Sequence, residues 1–236
     1  MDKMIQQGHE LFKDCGFSYY VCGGFALELF AGWAWRTHFD LDISAFQEDK
    51  RKVAAHLMRA GWRVYKRVYN ASTPDIYTAI LLDSPEDEEL DTIRTLWALK
   101  DSYTPEPKLV TGETRTYEFT FTPGSSQSEF NFIEIVLDHK SADHFVLNKD
   151  KGIVRELSKA ILYADGMPYM APELVLFLKS HQVYSTNVFH KEKTPQDFSE
   201  VLPLLPQESR QWLTEALATA YPDGYEWLEK LLTASN

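Results

Sequence analysis

Cysteine is scarce in this chain, and long apolar runs are missing from it. The 236 residues include two cysteines, Cys15 and Cys22, too few for a disulfide framework. The longest apolar runs, such as residues 174–178, are far too short to span a bilayer. The first ten residues, MDKMIQQGHE, lack the basic and apolar regions of a signal peptide. These absences predict a reduced, cytoplasmic protein with no membrane partner.

An excess of basic residues is also missing. Lys and Arg number 24 against 35 Asp and Glu, the formal net charge is −11, and no basic run exceeds KRK at residues 50–52. Proteins that bind long nucleic acids usually carry a basic face, so such a partner is not expected. An acidic protein attracts cations through long-range fields, which favours a small cationic partner. Because acidity also aids solubility, this preference is mild.

The chain does contain a segment in which paired glycines are followed by paired aspartates. Residues 19–46 read YYVCGGFALELFAGWAWRTHFDLDISAF, with a strand-like run, Gly23-Gly24, a helical pattern and a second strand over Leu41–Phe46. Residues two apart on a strand share a face, so Asp40 and Asp42 are predicted to lie side by side. Adjacent carboxylates repel each other unless a cation intervenes, and Mg²⁺ is typically held by one or two carboxylates plus substrate phosphates. The alternative, a hairpin edge with two exposed aspartates, does not explain why an acidic pair opens an otherwise apolar strand.

The glycine pair supplies a complementary feature. Glycine lets the backbone approach a phosphate closely, and the N-terminus of the following helix favours anions. Gly23 and Gly24 are therefore predicted to bind a phosphate group. A Gly-Gly pair alone usually marks only a turn, so it is the combination with the aspartates that favours a phosphate site.

This combination resembles the nucleotidyltransferases of the DNA polymerase beta superfamily, which share a Gly-Gly or Gly-Ser turn and an Asp-x-Asp on the next strand. GGFALELFAG followed by RTHFDLD is similar to the small antibiotic nucleotidyltransferases that act on aminoglycosides and lincosamides. The likeness continues in GMPYMAPE, at residues 166–173, with the apolar helix and Lys179 that follow it. It is weakest in the middle of the chain.

The resemblance implies Mg²⁺-dependent transfer from a nucleoside triphosphate, with ATP the expected nucleotide. Asp40 and Asp42 would bind the metal together with a third carboxylate from a neighbouring strand. Glu134 and Asp138 compete for that role, because they have the same parity on the strand predicted at residues 130–137. Glu134 is favoured because it is centred among apolar residues, where an unpaired carboxylate would be costly to bury. Asp138 ends the strand and can simply begin a turn.

Three basic residues are assigned to the nucleotide on weaker grounds. Arg36 can neutralise phosphate charge, and His38 shares the predicted parity of the aspartates. Lys179 resembles the position from which related enzymes bring a basic residue toward the nucleotide. A surface arginine, a structural histidine and an exposed helix lysine are the respective alternatives.

The fold class predicted for the chain is α+β. We expect a nucleotidyltransferase catalytic domain over residues 1–150, with a mixed sheet and flanking helices. A helical C-terminal domain is expected over residues 151–236. Its helices are predicted at residues 152–163, 172–184, 194–205, 208–220 and 225–232.

These features together predict a nucleotidyltransferase whose acceptor is a small hydroxyl-bearing molecule, most simply an aminoglycoside-type antibiotic. A lincosamide is the nearest alternative acceptor. A toxin–antitoxin nucleotidyltransferase acting on RNA or protein and an inactive binding relative also stay open. The composition offers no basic stripe for RNA, and an inactive relative should have lost a metal carboxylate.

Overall fold

The computed structural model describes residues 2–38, 40–69, 77–120, 130–148, 151–181, 188–227 and 229. The chain forms two compact units, each made of two stretches of sequence. The first unit comprises Met1–Val21 and Thr37–His139, and the second comprises Cys22–Arg36 and Lys140–Asn236. The division into domains at residue 150 stays a prediction.

The elements alternate between helices and strands over residues 3–68, and several consecutive strands follow. The helices are α1 (Lys3–Phe12), α2 (Gly23–Ala31), α3 (Lys50–Arg59), α4 (Leu157–Ala160), α5 (Pro172–Ser180), α6 (Val188–Val201) and α7 (Gln207–Ala220). Single 3₁₀ segments cover Gln47–Asp49, Glu88–Thr92 and Leu202–Leu204. The strands are β1 (Tyr19–Val21), β2 (Leu41–Phe46), β3 (Arg63–Val68), β4 (Tyr77–Leu81), β5 (Thr95–Leu99), β6 (Lys108–Leu109), β7 (Thr116–Phe119), β8 (Phe132–Lys140), β9 (His144–Asn148), β10 (Ile153–Glu156), β11 (Ile161–Ala164) and β12 (Met167–Met170).

The strands of the first unit lie side by side in the order β1-β2-β8-β5-β3-β4-β7-β6. The β2–β8 pair is parallel, whereas the other described pairs of this unit are antiparallel. The parallel pair joins strands distant in sequence and lies inside the sheet. The predicted α+β class with a mixed sheet is confirmed.

The two faces of β2 and β8 have different surroundings. Leu41 and Ile43 on β2, and Ile133 and Ile135 on β8, are almost fully buried. Leu41 faces Gly8 of α1, and α1 and α3 both pack on β2. Because side chains alternate along a strand, Asp42 on β2 and Glu134 beside it on β8 project from the opposite face of the sheet. An aromatic cluster, including Tyr65, Trp97, Phe119 and Phe132, forms the core beside β5.

The second unit contains two β-hairpins as well as helices, which corrects the helix predicted at residues 152–163. That range holds β10, the short α4 and most of β11. Burial alternates with a period of two along Ile153–Glu156, as expected for a strand. Asp165 and Gly166, both at positive φ, join β11 to β12 in a two-residue turn. Asp-Gly is a strong hairpin signal that the helical interpretation overlooked.

The later helices agree better with the prediction. Helix α5 ends at Ser180, four residues before the predicted end, and α7 matches the helix predicted at residues 208–220. Helix α6 begins at Val188, before the start of the helix predicted at residues 194–205, and it contains Pro195. Half of the helix predicted at residues 225–232 lies outside the described residues.

The longest helices of the described chain, α6 and α7, have 14 residues each. No described helix combines the length and the apolar character needed to cross a bilayer.

Candidate active site

Three half-buried carboxylates converge in the first unit. Asp40, Asp42 and Glu134 each offer one oxygen, and these oxygens lie within 4.8 Å of one another. The parallel pairing of β2 and β8 places Asp42 directly beside Glu134. Oxygen ligands at this spacing suit a hard divalent cation such as Mg²⁺, so the residues present fit the predicted metal.

Asp40 lies next to the strand that carries Asp42. Strand β2 begins at Leu41, as predicted, and Asp40 is the residue before it. Only Asp42 projects from the strand itself. The two aspartates come together in the carboxylate group.

Glu134 has a basic partner that the sequence analysis did not identify. Arg67 Nη1 donates a hydrogen bond to Glu134 Oε1 at 2.9 Å. Burial raises the pKa of Glu134 above its ordinary value, Arg67 opposes this rise, and the nearby Asp40 adds to it. The pKa of Glu134 is therefore set by opposing effects: burial and the negative charge of Asp40 raise it, whereas the Arg67 guanidinium lowers it.

Asp138, the competing third carboxylate, lies elsewhere on β8. Four residues along a strand span about 13 Å. Among the described residues, Asp138 is not part of the carboxylate group; its Oδ2 accepts a hydrogen bond from the Tyr20 hydroxyl at 2.9 Å. The structure therefore brings Glu134, and not Asp138, to the aspartates.

The half-buried position of Asp138 leads to a prediction about stability. Burial raises the pKa of Asp138 from 3.8 to about 6, so the folded state binds a proton more tightly than the unfolded state. The contribution of Asp138 to the free energy of unfolding should therefore fall as pH rises from about 4 to 6. At 1.36 kcal/mol per pKa unit, the fall amounts to about 3 kcal/mol.

Urea unfolding of the wild type and of Asp138→Asn at pH 4 and pH 7 measures this contribution. The stability of the variant relative to the wild type should be greater at pH 7 than at pH 4. If the difference in unfolding free energy between the variant and the wild type were the same at both pH values, Asp138 would not titrate as proposed. The variant should also retain transfer activity, since Asp138 lies outside the carboxylate group.

The predicted phosphate-binding glycines lie in the second unit. Helix α2 begins at Gly23, so the two glycines lie at the entry to the helix. Gly23 has a φ of 63°, which explains the need for glycine there. Their role in phosphate binding stays a prediction.

Arg36 and Lys179 meet at a carboxylate that the sequence analysis also missed. Asp197 on α6 accepts hydrogen bonds from Arg36 Nε at 3.0 Å and Trp35 Nε1 at 3.1 Å. Lys179 Nζ lies 3.1 Å from its Oδ2. Burial opposes ionisation of Asp197, but Lys179 and Arg36 outweigh it and lower its pKa. One buried carboxylate thus holds both cations.

The loop that carries Arg36 is fixed by a second acid. Glu28 of α2 accepts hydrogen bonds from the backbone N–H groups of Trp35 and Arg36, at 3.1 and 3.4 Å. His38 belongs to the first unit and is half-buried. It is not part of the group formed by Asp40, Asp42 and Glu134. The nucleotide-binding roles of Arg36, His38 and Lys179 stay predictions.

Comparison by sequence relates the N-terminal part of the chain to one family. Residues 4–92, which include Gly23, Gly24, Asp40 and Asp42, match the profile of the aminoglycoside-2''-adenylyltransferase family. This stretch is less than half of the chain and ends before Glu134. No curated protein sequence matches the chain.

Comparison by structure relates the chain to solved antibiotic-resistance proteins. The solution structure of the antibiotic-resistance factor ANT(2'')-Ia matches with a TM-score of 0.52 at 11% identity, over 93% of this chain and 92% of that chain. Lincomycin-bound LnuA, a lincosamide antibiotic adenylyltransferase, gives 0.47 at 14% identity, over 87% of this chain and 98% of that chain. An antigenic nucleotidyltransferase-like protein from Paracoccidioides brasiliensis matches with a TM-score of 0.47 at 14% identity, over 98% of this chain and 91% of that chain. The chain therefore shares its fold with the antibiotic-resistance factor ANT(2'')-Ia, and its residues 4–92 are similar in sequence to the aminoglycoside-2''-adenylyltransferase family.

Proposed function

We propose that this protein transfers a nucleoside monophosphate from a nucleoside triphosphate, ATP in the first instance, to a hydroxyl group of an aminoglycoside-type antibiotic. The observation that carries the proposal is the family match over residues 4–92, which contains both aspartates of the carboxylate group. The net charge of −11 suits a cationic acceptor.

The proposed metal is Mg²⁺, held by Asp40, Asp42 and Glu134. When bound, it would neutralise phosphate charge and favour departure of pyrophosphate. The three acids fit this role because their oxygens lie within 4.8 Å of one another on half-buried side chains. Without a metal ion, the three carboxylates would lie close together despite the repulsion between their negative charges.

The protein's residues then act mainly by positioning and by electrostatics, as in other phosphoryl transfers. The acceptor hydroxyl attacks the α-phosphorus, and the bond to the leaving pyrophosphate breaks. Glu134 either completes the metal ligands or accepts the hydroxyl proton as a general base. Gly23 and Gly24 are proposed to bind phosphate oxygens through backbone N–H groups, assisted by Arg36, His38 and Lys179.

Pyrophosphate release tests the proposal directly. The purified protein, with Mg²⁺, is given each of the four ribonucleoside triphosphates and a panel of aminoglycosides and lincosamides. We expect release with ATP and at least one aminoglycoside, with mass spectrometry showing a nucleotidylated product. Pyrophosphate release only with a lincosamide would show that the acceptor is a lincosamide and not an aminoglycoside. Nucleotide binding without transfer to any panel member would contradict the proposed acceptor class.

A cationic acceptor also predicts a dependence on salt. If the acidic protein steers the acceptor electrostatically, kcat/KM for a polycationic aminoglycoside should fall as ionic strength rises. The Debye length shrinks from about 10 Å at 0.1 M to about 3 Å at 1 M. Initial rates at subsaturating acceptor and saturating nucleotide measure this effect. A kcat/KM that does not change with salt would exclude charge steering.

A further inference from the structure

We propose that Arg67 is a positioning residue that holds Glu134 for transfer, an inference that rests on the proposed function. The hydrogen bond from Arg67 Nη1 occupies Oε1 of Glu134. A carboxylate has two oxygens and several acceptor positions, so a carboxylate held by Arg67 can still bind a metal ion or accept a substrate proton. Arg67 itself need not touch the substrate.

The sheet explains why this arginine reaches this acid. Glu134 on β8 pairs with Trp97 on β5, and Trp97 pairs with Tyr65 on β3. Side chains opposite each other across neighbouring strands share a face. Arg67 has the parity of Tyr65, so its long side chain extends over the same face and meets Glu134 diagonally across β5.

Aromatic rings restrict the guanidinium in this position. Its central carbon lies 4.5 Å from the ring centroid of Tyr69, 5.2 Å from that of Trp97 and 5.8 Å from that of Tyr77. Such contacts stabilise a cation over a ring face and limit the rotamers of the arginine. The side chains of Arg67 and Glu134 are only 24% and 20% exposed, so the pair is largely shielded from solvent. The ring contacts thus restrict the guanidinium to the position from which it donates a hydrogen bond to Glu134.

The charge of Arg67 also serves the carboxylate group. Three acids within 4.8 Å of one another repel, and a fixed cation on one of them reduces that repulsion. Lysine would keep the charge but lose the planar fork and the stacking on the rings. Partners that orient a metal-site ligand typically contribute about 10–100-fold to metal affinity or activity.

Arg67→Gln, Arg67→Lys and the control Arg63→Gln test the inference. Arg63 lies on the same strand with the same parity, but it faces the exposed acids Asp101 and Glu106. We expect Arg67→Gln to lower kcat about 10–100-fold with little change in the KM for nucleotide. Arg67→Lys should recover part of this loss, whereas Arg63→Gln should leave kcat unchanged. A wild-type kcat in folded Arg67→Gln would overturn the inference.

A double-mutant cycle separates positioning from a merely structural role. Glu134→Gln should lower kcat about 10²–10⁴-fold if Glu134 is a general base. If Arg67 acts through Glu134, adding Arg67→Gln to Glu134→Gln should cause little further loss. Losses that multiply would show that Arg67 acts independently of Glu134 and would overturn the inference.

Thermal melts of all variants establish that they are folded, and the cycle is run with Arg67→Lys if Arg67→Gln does not fold. Absence of transfer by the wild type would overturn the proposed function and the inference with it. An active wild type with multiplying losses would overturn the inference alone.

Discussion

Replacing Asp40 or Asp42 with asparagine should abolish nucleotide transfer while leaving the protein folded. Both carboxylates belong to the group of three acids, and asparagine cannot supply the negative charge that a divalent cation requires. A bound metal ion stabilises the transition state by several kcal/mol, and each 1.36 kcal/mol is tenfold in rate. We therefore expect a loss of about 10²–10⁴-fold in kcat with either variant.

The fold should tolerate these substitutions because they remove like charges that repel in the metal-free protein. Asp40 itself raises the pKa of Glu134, which shows that the negative charges act on one another. Thermal melts without Mg²⁺ should therefore give a midpoint equal to or above that of the wild type. Asp101→Asn is a suitable control, because the Asp101 side chain is 93% exposed and should not affect transfer.

The transfer rate is measured with Mg²⁺ and both substrates at saturating concentrations. A near-wild-type rate in either variant would remove Asp40 or Asp42 from the metal site. A rate restored by Mn²⁺ alone would instead indicate a weakened metal site in the same place.

Replacing Asp197 with alanine should strongly reduce the stability of the protein. Its side chain is fully buried, and the side chains of Arg36 and Lys179 are only 12% and 13% exposed. Removing one partner of a buried ion pair typically costs about 3–5 kcal/mol, because the remaining charges stay buried without compensation. We expect a loss of that size in the free energy of unfolding.

Urea unfolding at pH 7 measures this loss. The exposed Asp223 provides a matched control in the same unit, and Asp223→Ala should change stability by no more than about 0.5 kcal/mol. A loss below about 1 kcal/mol for Asp197→Ala would show that the cations find solvent or other partners, and that Asp197 does not organise them.

The pH dependence of Asp197 provides a second measurement. Because its pKa is lowered in the folded state, its contribution is present above the ordinary pKa of an aspartate. It should be lost as pH falls through that range toward the folded value. The stability difference between the wild type and Asp197→Ala should therefore shrink in acid. A difference that stays constant down to the acid limit of folding would contradict the ion-pair account.

Local sequence patterns were sufficient for the core of the candidate site. Strand β2 spans the predicted residues 41–46, and β8 includes most of the strand predicted at residues 130–137. The alternation of apolar and polar residues along β8 separated Glu134 from Ile133 and Ile135. Alternation of this kind is a property of the extended backbone itself, so it can be read without knowledge of the neighbouring strands.

Local patterns were less reliable where helix and strand compete for a short apolar segment. Residues 152–163 contain enough apolar residues for a helix, yet they form β10, α4 and part of β11. The turn at Asp165-Gly166 lies beyond that range and favours a hairpin, because both residues adopt positive φ. Pairing with β9 and β12 then satisfies the backbone of these short strands.

The sequence by itself determined the glycine pair, the Asp-x-Asp segment and the acid most suited to join it. Only the tertiary structure decided the partners of these residues. Arg67 and Glu134 are 67 positions apart, and Arg36 and Asp197 are 161 positions apart. The order of strands in the sheet brings the first pair together, and the packing of α6 near the end of α2 brings the second. Sequence patterns report local backbone preference and the faces of single elements, whereas charge pairing depends on which elements become neighbours.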